Sequence, residues 1–340
     1  MKSNNQDPWS VLESDYPAQG TQAEQWEFLL RYAILAPSSH NSQPWKFRHR
    51  HASLEIHADR ERACPVVDPQ DRELIMSCGC ALFHFKVAMR HFGCLGQIEI
   101  LPEHNPNLLA RLHWGAEVET EAIQSKLFSA ITERRTNRQP FKDKPLPSEL
   151  FEQLKGTAAS ENASLHSIED EPTRFALADL IWKADRTQWA NAEFRRELSR
   201  WILPNHSLRQ DGIPGYAAGV DDLMSSVGPL VVRTFDLGEG EAARDQELAI
   251  GSPRLVVVCT PGDSPRDWVS AGQALAAVLL HARSENIWAS FLNQPIEVPG
   301  IRHQLKSLID TTQSPQCILR LGYADAVRPT PRREVEEVLF

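Results

Sequence analysis

Two long apolar segments constrain this 340-residue chain more than any other feature of its sequence. Residues 77–90 read SCGCALFHFKVAMR, and residues 270–283 read SAGQALAAVLLHAR. Aligned from Ser77 and Ser270, they share serine, glycine, alanine, leucine and arginine at 77/270, 79/272, 81/274, 82/275 and 90/283. Each is apolar nearly all round, the pattern of a buried helix, and the small residues at 77–81 let another helix approach closely. Each is followed by a strand-like run, ARLHWG at 110–115 and LRLGY at 319–323. Two such helices can pack around a pseudo-two-fold axis, as in a homodimer fused into one chain. Chance similarity is the alternative, and the paired strands weigh against it.

The length suits two units of roughly 150 residues each. A net charge of −9 argues against a general nucleic-acid or acidic-membrane binder. There is no run of 18 apolar residues, and the polar N-terminus has neither a basic n-region before an apolar stretch nor a twin arginine, so the expectation is a cytoplasmic protein. The six cysteines (Cys64, Cys78, Cys80, Cys94, Cys259 and Cys317) have no CxxC or zinc-like spacing and read as buried free thiols. His49 and His51 lie beside two arginines on a hairpin and read as solvated surface, so no metal site is expected.

In chain order, residues 1–20 read as a loose arm. Thr21 and Glu24 have capping-box spacing, and Trp26, Leu29, Leu30, Ala33 and Ile34 follow at helical intervals. Residues 45–50 and 53–57 form a hairpin pattern, 72–92 a long helix, and 97–101 and 108–115 two strands. A helix over 121–133 is followed by an irregular helical region from 148 to 230. Its breaker-rich stretch at 203–216 is either a lid or a surface excursion packed by its own aromatics. A strand at 254–260, a helix at 268–287 and a strand at 317–323 close the pattern.

Two polar stretches stand out. Residues 36–47, APSSHNSQPWKF, place two serines, a histidine, an asparagine and a glutamine just after a helix stop. They make either an ordinary helix-to-strand loop or a surface of donors for a planar polar ligand. Residues 134–138, RRTNR, are either a solvated basic helix end or an anion site built for bidentate hydrogen bonding. The signatures of a Rossmann dehydrogenase, a P-loop NTPase and an α/β-hydrolase are absent from the sequence.

These residues resemble the FMN-dependent nitroreductase superfamily. Residues 37–45, PSSHNSQPW, are similar to its flavin-binding loop, and 134–138 to its phosphate-holding arginine motif. Residues 293–297, NQPIE, resemble the segment passing flavin N5, and 331–333, PRR, the C-terminal arginine motif. Ordinary members are dimers of chains near 200 residues, with each FMN shared between subunits. Here the loop stands in the first half with no arginine motif ahead of it. The arginine motif stands in the second half with no second copy of the loop after it. That order resembles the long Acg-like branch, in which two units are fused and one flavin site survives.

The resemblance implies an α+β, nitroreductase-like fold, internally duplicated as a pseudo-dimer, with antiparallel-rich sheets flanked by helices. The units run over 21–125 and 126–340, with a lid-like insertion at about 200–225. It implies FMN as cofactor, held through Ser38, Ser39, Asn41, Gln43, Arg134, Arg135, Thr136, Asn137, Arg138, Pro295, Ile296, Glu297, Arg332 and Arg333. The backbone N–H of Glu297 or Val298 would address N5. No side chain is expected to act as acid or base, because hydride passes from NAD(P)H through flavin N5 to a nitro- or quinone-like acceptor. A protein that sequesters FMN under a closed lid without turnover is the alternative, and a flavin-free interaction protein on a decayed fold is a third reading. Partners are NAD(P)H and a small-molecule acceptor, with no nucleic acid and no membrane, and the chain is a monomer or a homodimer.

Overall fold

A computed structural model describes every residue except 1–6, 51, 104 and 117–121, so part of the N-terminal arm and His51 lie outside the described residues. The first half runs α1 (Gln22–Ala33), β1 (Trp45–Arg50), β2 (Ser53–Ala58), α2 (Arg72–His91), β3 (Leu95–Ile100) and β4 (Leu108–Trp114). After α3 (Ala122–Ile131), the second half runs α4 (Ser148–Ala159) and β5 (Ser164–Ile168). Next come α5 (Glu171–Ala190), α6 (Ala192–Trp201), a two-residue pair β6 (Ile202–Leu203) and β7 (Ile213–Pro214), α7 (Asp222–Thr234) and α8 (Gly238–Ile250). The chain then returns to β8 (Arg254–Thr260), α9 (Pro265–Ser284), β9 (Trp288–Phe291), α10 (Gln294–Glu297), α11 (Pro299–Leu308) and β10 (Ser314–Gly322), and ends on α12 (Val335–Val338).

Each half builds a four-stranded antiparallel sheet, in the orders β1-β2-β4-β3 and β5-β8-β10-β9. The orders correspond one for one, with α2 and α9 at equivalent places between the second and third strands of each set. The fold is α+β, with helices packed on antiparallel sheets. In the first half a tight hairpin joins β1 to β2. At the corresponding place in the second half, α5 to α8 are interposed between β5 and β8. The breaker-rich stretch at 203–216 lies within this interposed segment. Strand β5 was not anticipated, because SLHSI is short and only Leu165 and Ile168 are buried.

The two aligned apolar helices pack on each other. Eighteen of the twenty residues of α2 are buried, from Arg72 to Met89. The pair forms the middle of the main core with Trp26, Trp45, Phe47, Phe85 and Val278. The crossing point is the aligned glycine pair. A Cβ on Gly272 would stand 2.0 Å from the carbonyl oxygen of Met76, and one on Gly79 would stand 2.5 Å from that of Val269. Cys80 Sγ donates to the Gly272 carbonyl at 3.2 Å. All six cysteines are buried and unbridged.

The C-terminal segment leaves the second sheet and returns to the first. Leu339 bridges Phe47, and the N–H of Phe340 donates to the Phe47 carbonyl at 2.9 Å. Residues 134–138 lie against the other end of the second sheet, where Thr136 bridges Ala289. No helix among the described residues is long and apolar enough to cross a membrane.

Overpacking at a backbone-to-backbone crossing costs roughly 1–3 kcal/mol or more, against about 1 kcal/mol gained when helical glycine becomes alanine. Gly272→Ala is expected to lower the thermal midpoint. Gly156→Ala in α4, where a Cβ meets nothing within 4 Å, is expected to leave it equal or higher. Equal midpoints for the two variants would show that the crossing is not tight.

Candidate functional site

The loop between α1 and β1 is held in a costly backbone. His40, Asn41 and Gln43 have φ of 50°, 54° and 52°, in the left-handed region that L-residues occupy at a cost of about 1 kcal/mol or more each. Two distant segments hold it there. Asn41 Nδ2 donates to the carbonyls of Gly212 (2.9 Å) and Pro331 (3.0 Å), and Asn41 Oδ1 accepts from Arg332 Nη1 at 2.8 Å. Gln43 Nε2 donates to the Gln210 carbonyl at 2.8 Å, and Gln43 Oε1 accepts from the N–H of Arg333 at 2.8 Å. The segment between β6 and β7 and the C-terminal arm are thus both tied to the loop, and to each other through Gln210 and Glu334.

Beside this loop is a narrow cleft of about 30 Å³ lined by Pro37, Ser38, Asn41, Thr136, Ile213 and Thr330, together with Arg134, Arg135, Arg138, Arg328 and Arg332. Arg134 and Arg332 are each only 3% exposed. Both donate to the carbonyl of Leu35, at 3.1 and 3.4 Å, and the Nε of each is buried without a partner. Arg135 lies 3.5 Å over the ring of Trp9, and Arg332 lies 4.6 Å from the same ring. Trp9 Nε1 donates to the Thr330 carbonyl at 2.9 Å, so this part of the N-terminal arm is packed rather than loose.

Among the described residues, Arg134, Arg135, Arg138 and Arg332 have no carboxylate within ion-pair distance. Burial lowers the pKa of Arg134 to about 10, of Arg135 to about 9 and of Arg138 to about 10. It takes Arg332 well below the usual range, with Arg134 and Arg135 adding repulsion. Buried charge of one sign is expensive unless a counter-charge arrives. The donor set is planar, multiple and convergent, which suits a phosphate-like dianion.

The cleft shares Pro37, Ser38, Thr136, Arg138 and Ile213 with a larger cavity of about 330 Å³. That volume is in the range of small-ligand sites. Its apolar lining includes Met76, Trp189, Phe194, Leu248 and Phe291. Ser39, His40, Glu73, Glu297 and Arg320 add polar groups. Ser39 Oγ donates to Glu73, whose other oxygen accepts from Arg72 Nη2 at 2.8 Å. Glu297 Oε2 accepts from Gln188 Nε2 at 2.6 Å, and burial with the neighbouring Glu73 raises the Glu297 pKa well above the ordinary range.

The anticipated residues divide accordingly. Ser38, Ser39, Thr136, Arg138 and Glu297 line the larger cavity, and Asn41, Arg134, Arg135 and Arg332 line the cleft. Gln43, Asn137, Pro295 and Arg333 line neither. Gln43 and Arg333 brace the loop, and Asn137 ties its strand-edge segment to the Ala289 and Asp325 carbonyls. Ile296 faces a separate cavity near α11. The N–H groups of Glu297 and Val298 donate within their own helical turn, to Asn293 at 3.2 Å and Gln294 at 3.3 Å.

Sequence reasoning missed Arg320, Asp185 and Asp245, all on the cavity wall. Arg320 carried a signal, since an arginine between Leu319 and Leu321 in an apolar strand has to be buried. Asp185 also carried one, because 3.6-residue spacing sets it on the face of Leu177, Ile181 and Ala184.

No sequence-family model matches the chain. An uncharacterised protein of Mycobacterium tuberculosis is 29% identical over 331 residues, 92% of each chain. Acg of the same organism, provisionally named an NAD(P)H nitroreductase, is 28% identical over 319 residues, 91% of this chain and 93% of that one. The chain is thus similar to these proteins over nearly its whole length. Among solved structures, the FMN-dependent nitroreductase NfnB of Mycobacterium smegmatis, in complex with NADPH, aligns with 63% of this chain and 97% of its own. It does so at 15% identity and a TM-score of 0.41.

Asn41→Ala removes three hydrogen bonds and puts alanine at a left-handed φ, an expected loss of about 2–4 kcal/mol. Hydrogen exchange is expected to quicken in both 210–214 and 330–333. Unchanged protection in either segment would refute the brace.

Proposed function

We propose that this chain is an FMN-binding oxidoreductase that takes hydride from NAD(P)H and reduces a nitro- or quinone-like acceptor. The observation that carries the proposal is the arginine cleft without counter-charge, opening into a ligand-sized cavity. Four guanidinium groups, two of them (Arg134 and Arg332) with an unpartnered buried Nε, fit a phosphate, and the adjoining volume, apolar on one wall, fits a planar ring. The fit of these residues to FMN is thus chemical as well as familial.

Bound FMN would supply the hydride chemistry that no side chain here can provide. Arg134, Arg138 and Arg332, with Arg135, would neutralise its phosphate, and the hydroxyls of Ser38 and Thr136 would add neutral donors beside it. The free N–H groups of Arg320 and Arg138 face the cavity and suit negative charge on a reduced ring. Ser39 is held by Glu73 and keeps the loop wall rigid. Ile202, Ile213 and Ala218, from the interposed segment, cover part of the cavity and exclude water. Asn41, Gln43 and Arg333 act at one remove, by holding the strained loop.

The purified protein is expected to show flavin absorbance that bleaches anaerobically with NADPH or NADH. Bands that persist with both donors would favour sequestration without turnover. Arg134→Ala is expected to strip most of the flavin, since a buried charge-assisted bond to phosphate contributes about 1.5–3 kcal/mol. Wild-type flavin content in that variant would sink the phosphate assignment.

A further inference from the structure

The cavity wall that α5, α8 and α10 build carries chemistry the arginine cleft does not explain. Asp185 on α5 is 3% exposed and lines the cavity, and its Oδ2 is buried with no hydrogen-bond partner. Gln294 on α10 spends its amide nitrogen on Asp245 Oδ2 at 2.5 Å, and its Oε1 is also buried without a donor. Neither Asp185 nor Asp245 has an ion pair among the described residues. Gln294 also lies within hydrogen-bonding reach of Asp185, and among the described residues Asp185 Oδ2 and Gln294 Oε1 are left without a partner in this ligand-sized space.

Three cations, Arg138, Arg244 and Arg320, line the same cavity, and Arg320 keeps Nε and Nη1 buried without a partner. Arg320 donates through Nη2 to the carbonyls of Asn137 and Gln139 and lies 4.4 Å from the ring centre of Phe141. Arg244 approaches Glu241 at 4.0 Å and donates to the Ala218 carbonyl at 3.3 Å. Arg138 belongs to the arginine cleft as well as to this cavity. Trp189 and Phe194 add aromatic surface to the same space.

We propose that this wall is the subsite for the electron acceptor and that it selects an aromatic acceptor bearing a protonated amine. The proposal rests on the oxidoreductase reading for the word acceptor, though not for the cation preference itself. An ammonium group supplies three donors and a charge to Asp185, Asp245 and Gln294, while the aromatic body lies against Trp189 and Phe194. The charged groups around Asp185 are Glu241, Arg244 and Asp245 from α8, Glu297 from α10, Arg320 from β10, and Arg138. Burial, then the charge of Asp245, pushes Asp185 up to about 8, and burial pushes Asp245 up to about 6. At neutral pH Asp185 keeps its proton, and an arriving ammonium group expels it. Affinity for the amine therefore strengthens as pH rises toward 8, while a benzylic amine remains protonated.

The test is calorimetric titration of the purified protein, its flavin content recorded first, with 4-nitrobenzylamine and 4-nitrobenzyl alcohol at pH 6 and pH 8. The amine is expected to bind about tenfold tighter than the alcohol or better. Its affinity should rise with pH, and buffers of different ionisation heat should report proton release. Asp185→Asn is expected to bring the two probes within about twofold of each other, and Asp185→Glu to retain the preference. Equal affinities in the wild type, no detectable amine binding, or a preference that survives Asp185→Asn would overturn the proposal. A protein that holds no flavin would overturn the oxidoreductase reading instead, and the same titration of that protein still decides the amine preference.

Discussion

The structure depends on one contact without side chains, the crossing of α2 and α9 at Gly79 and Gly272. With a Cβ on Gly272 only 2.0 Å from a Met76 carbonyl oxygen, the helices cannot approach this closely with any other residue there. Close approach brings two sheets of equal strand order onto opposite flanks of one helix pair. It also sets the loop after α1, from the first half, against the arginines of 134–138, from the second. A homodimer would make such an arrangement twice, by symmetry. Here it is made within one chain, so the two halves are free to differ.

They differ where it matters for binding. Between α1 and β1 the first half carries an eleven-residue connection, Ile34–Pro44, with three left-handed residues. At the corresponding place, between α4 and β5, the second half has only the tight turn at 160–163. The second half instead extends the connection between β5 and β8 into four helices, which form one wall of the cavity. One arginine-lined cleft results, assembled from both halves. The C-terminal arm completes it by crossing back to β1 and delivering Arg332 beside Arg134.

The energetics of the cleft run against folding, since four guanidiniums share a dry space without carboxylates and the loop beside them is strained. The chain offsets this with a core of Trp26, Trp45, Phe47 and Phe85 and with the side-chain braces of Asn41, Gln43 and Arg333. Unpaired buried charge held by a rigid frame is how a site is prepared for a ligand of opposite sign. The cavity beyond carries charges of both signs, Arg138, Arg244 and Arg320 with Glu73, Asp185, Glu241, Asp245 and Glu297.

The sequence by itself determined the elements whose signals are local. Helix α1 has its Thr21 capping box, 45–50 and 53–57 carry a hairpin pattern, and the apolar repeat at 77–90 and 270–283 marks the paired helices. The stretches at 37–45 and 134–138 were each ambiguous alone, as an ordinary loop and a solvated basic helix end, and became legible through their order along the chain. Tertiary structure alone decided which of those residues reach the cavity. Gln43 and Arg333 sit in the motifs yet face each other, because the arm and the loop must be pinned together. Strand β5 was invisible because only its pairing with β8 makes it a strand. The carboxylate wall was decided there too, since Asp185, Asp245 and Gln294 lie far apart in the chain and meet only when α5, α8 and α10 pack.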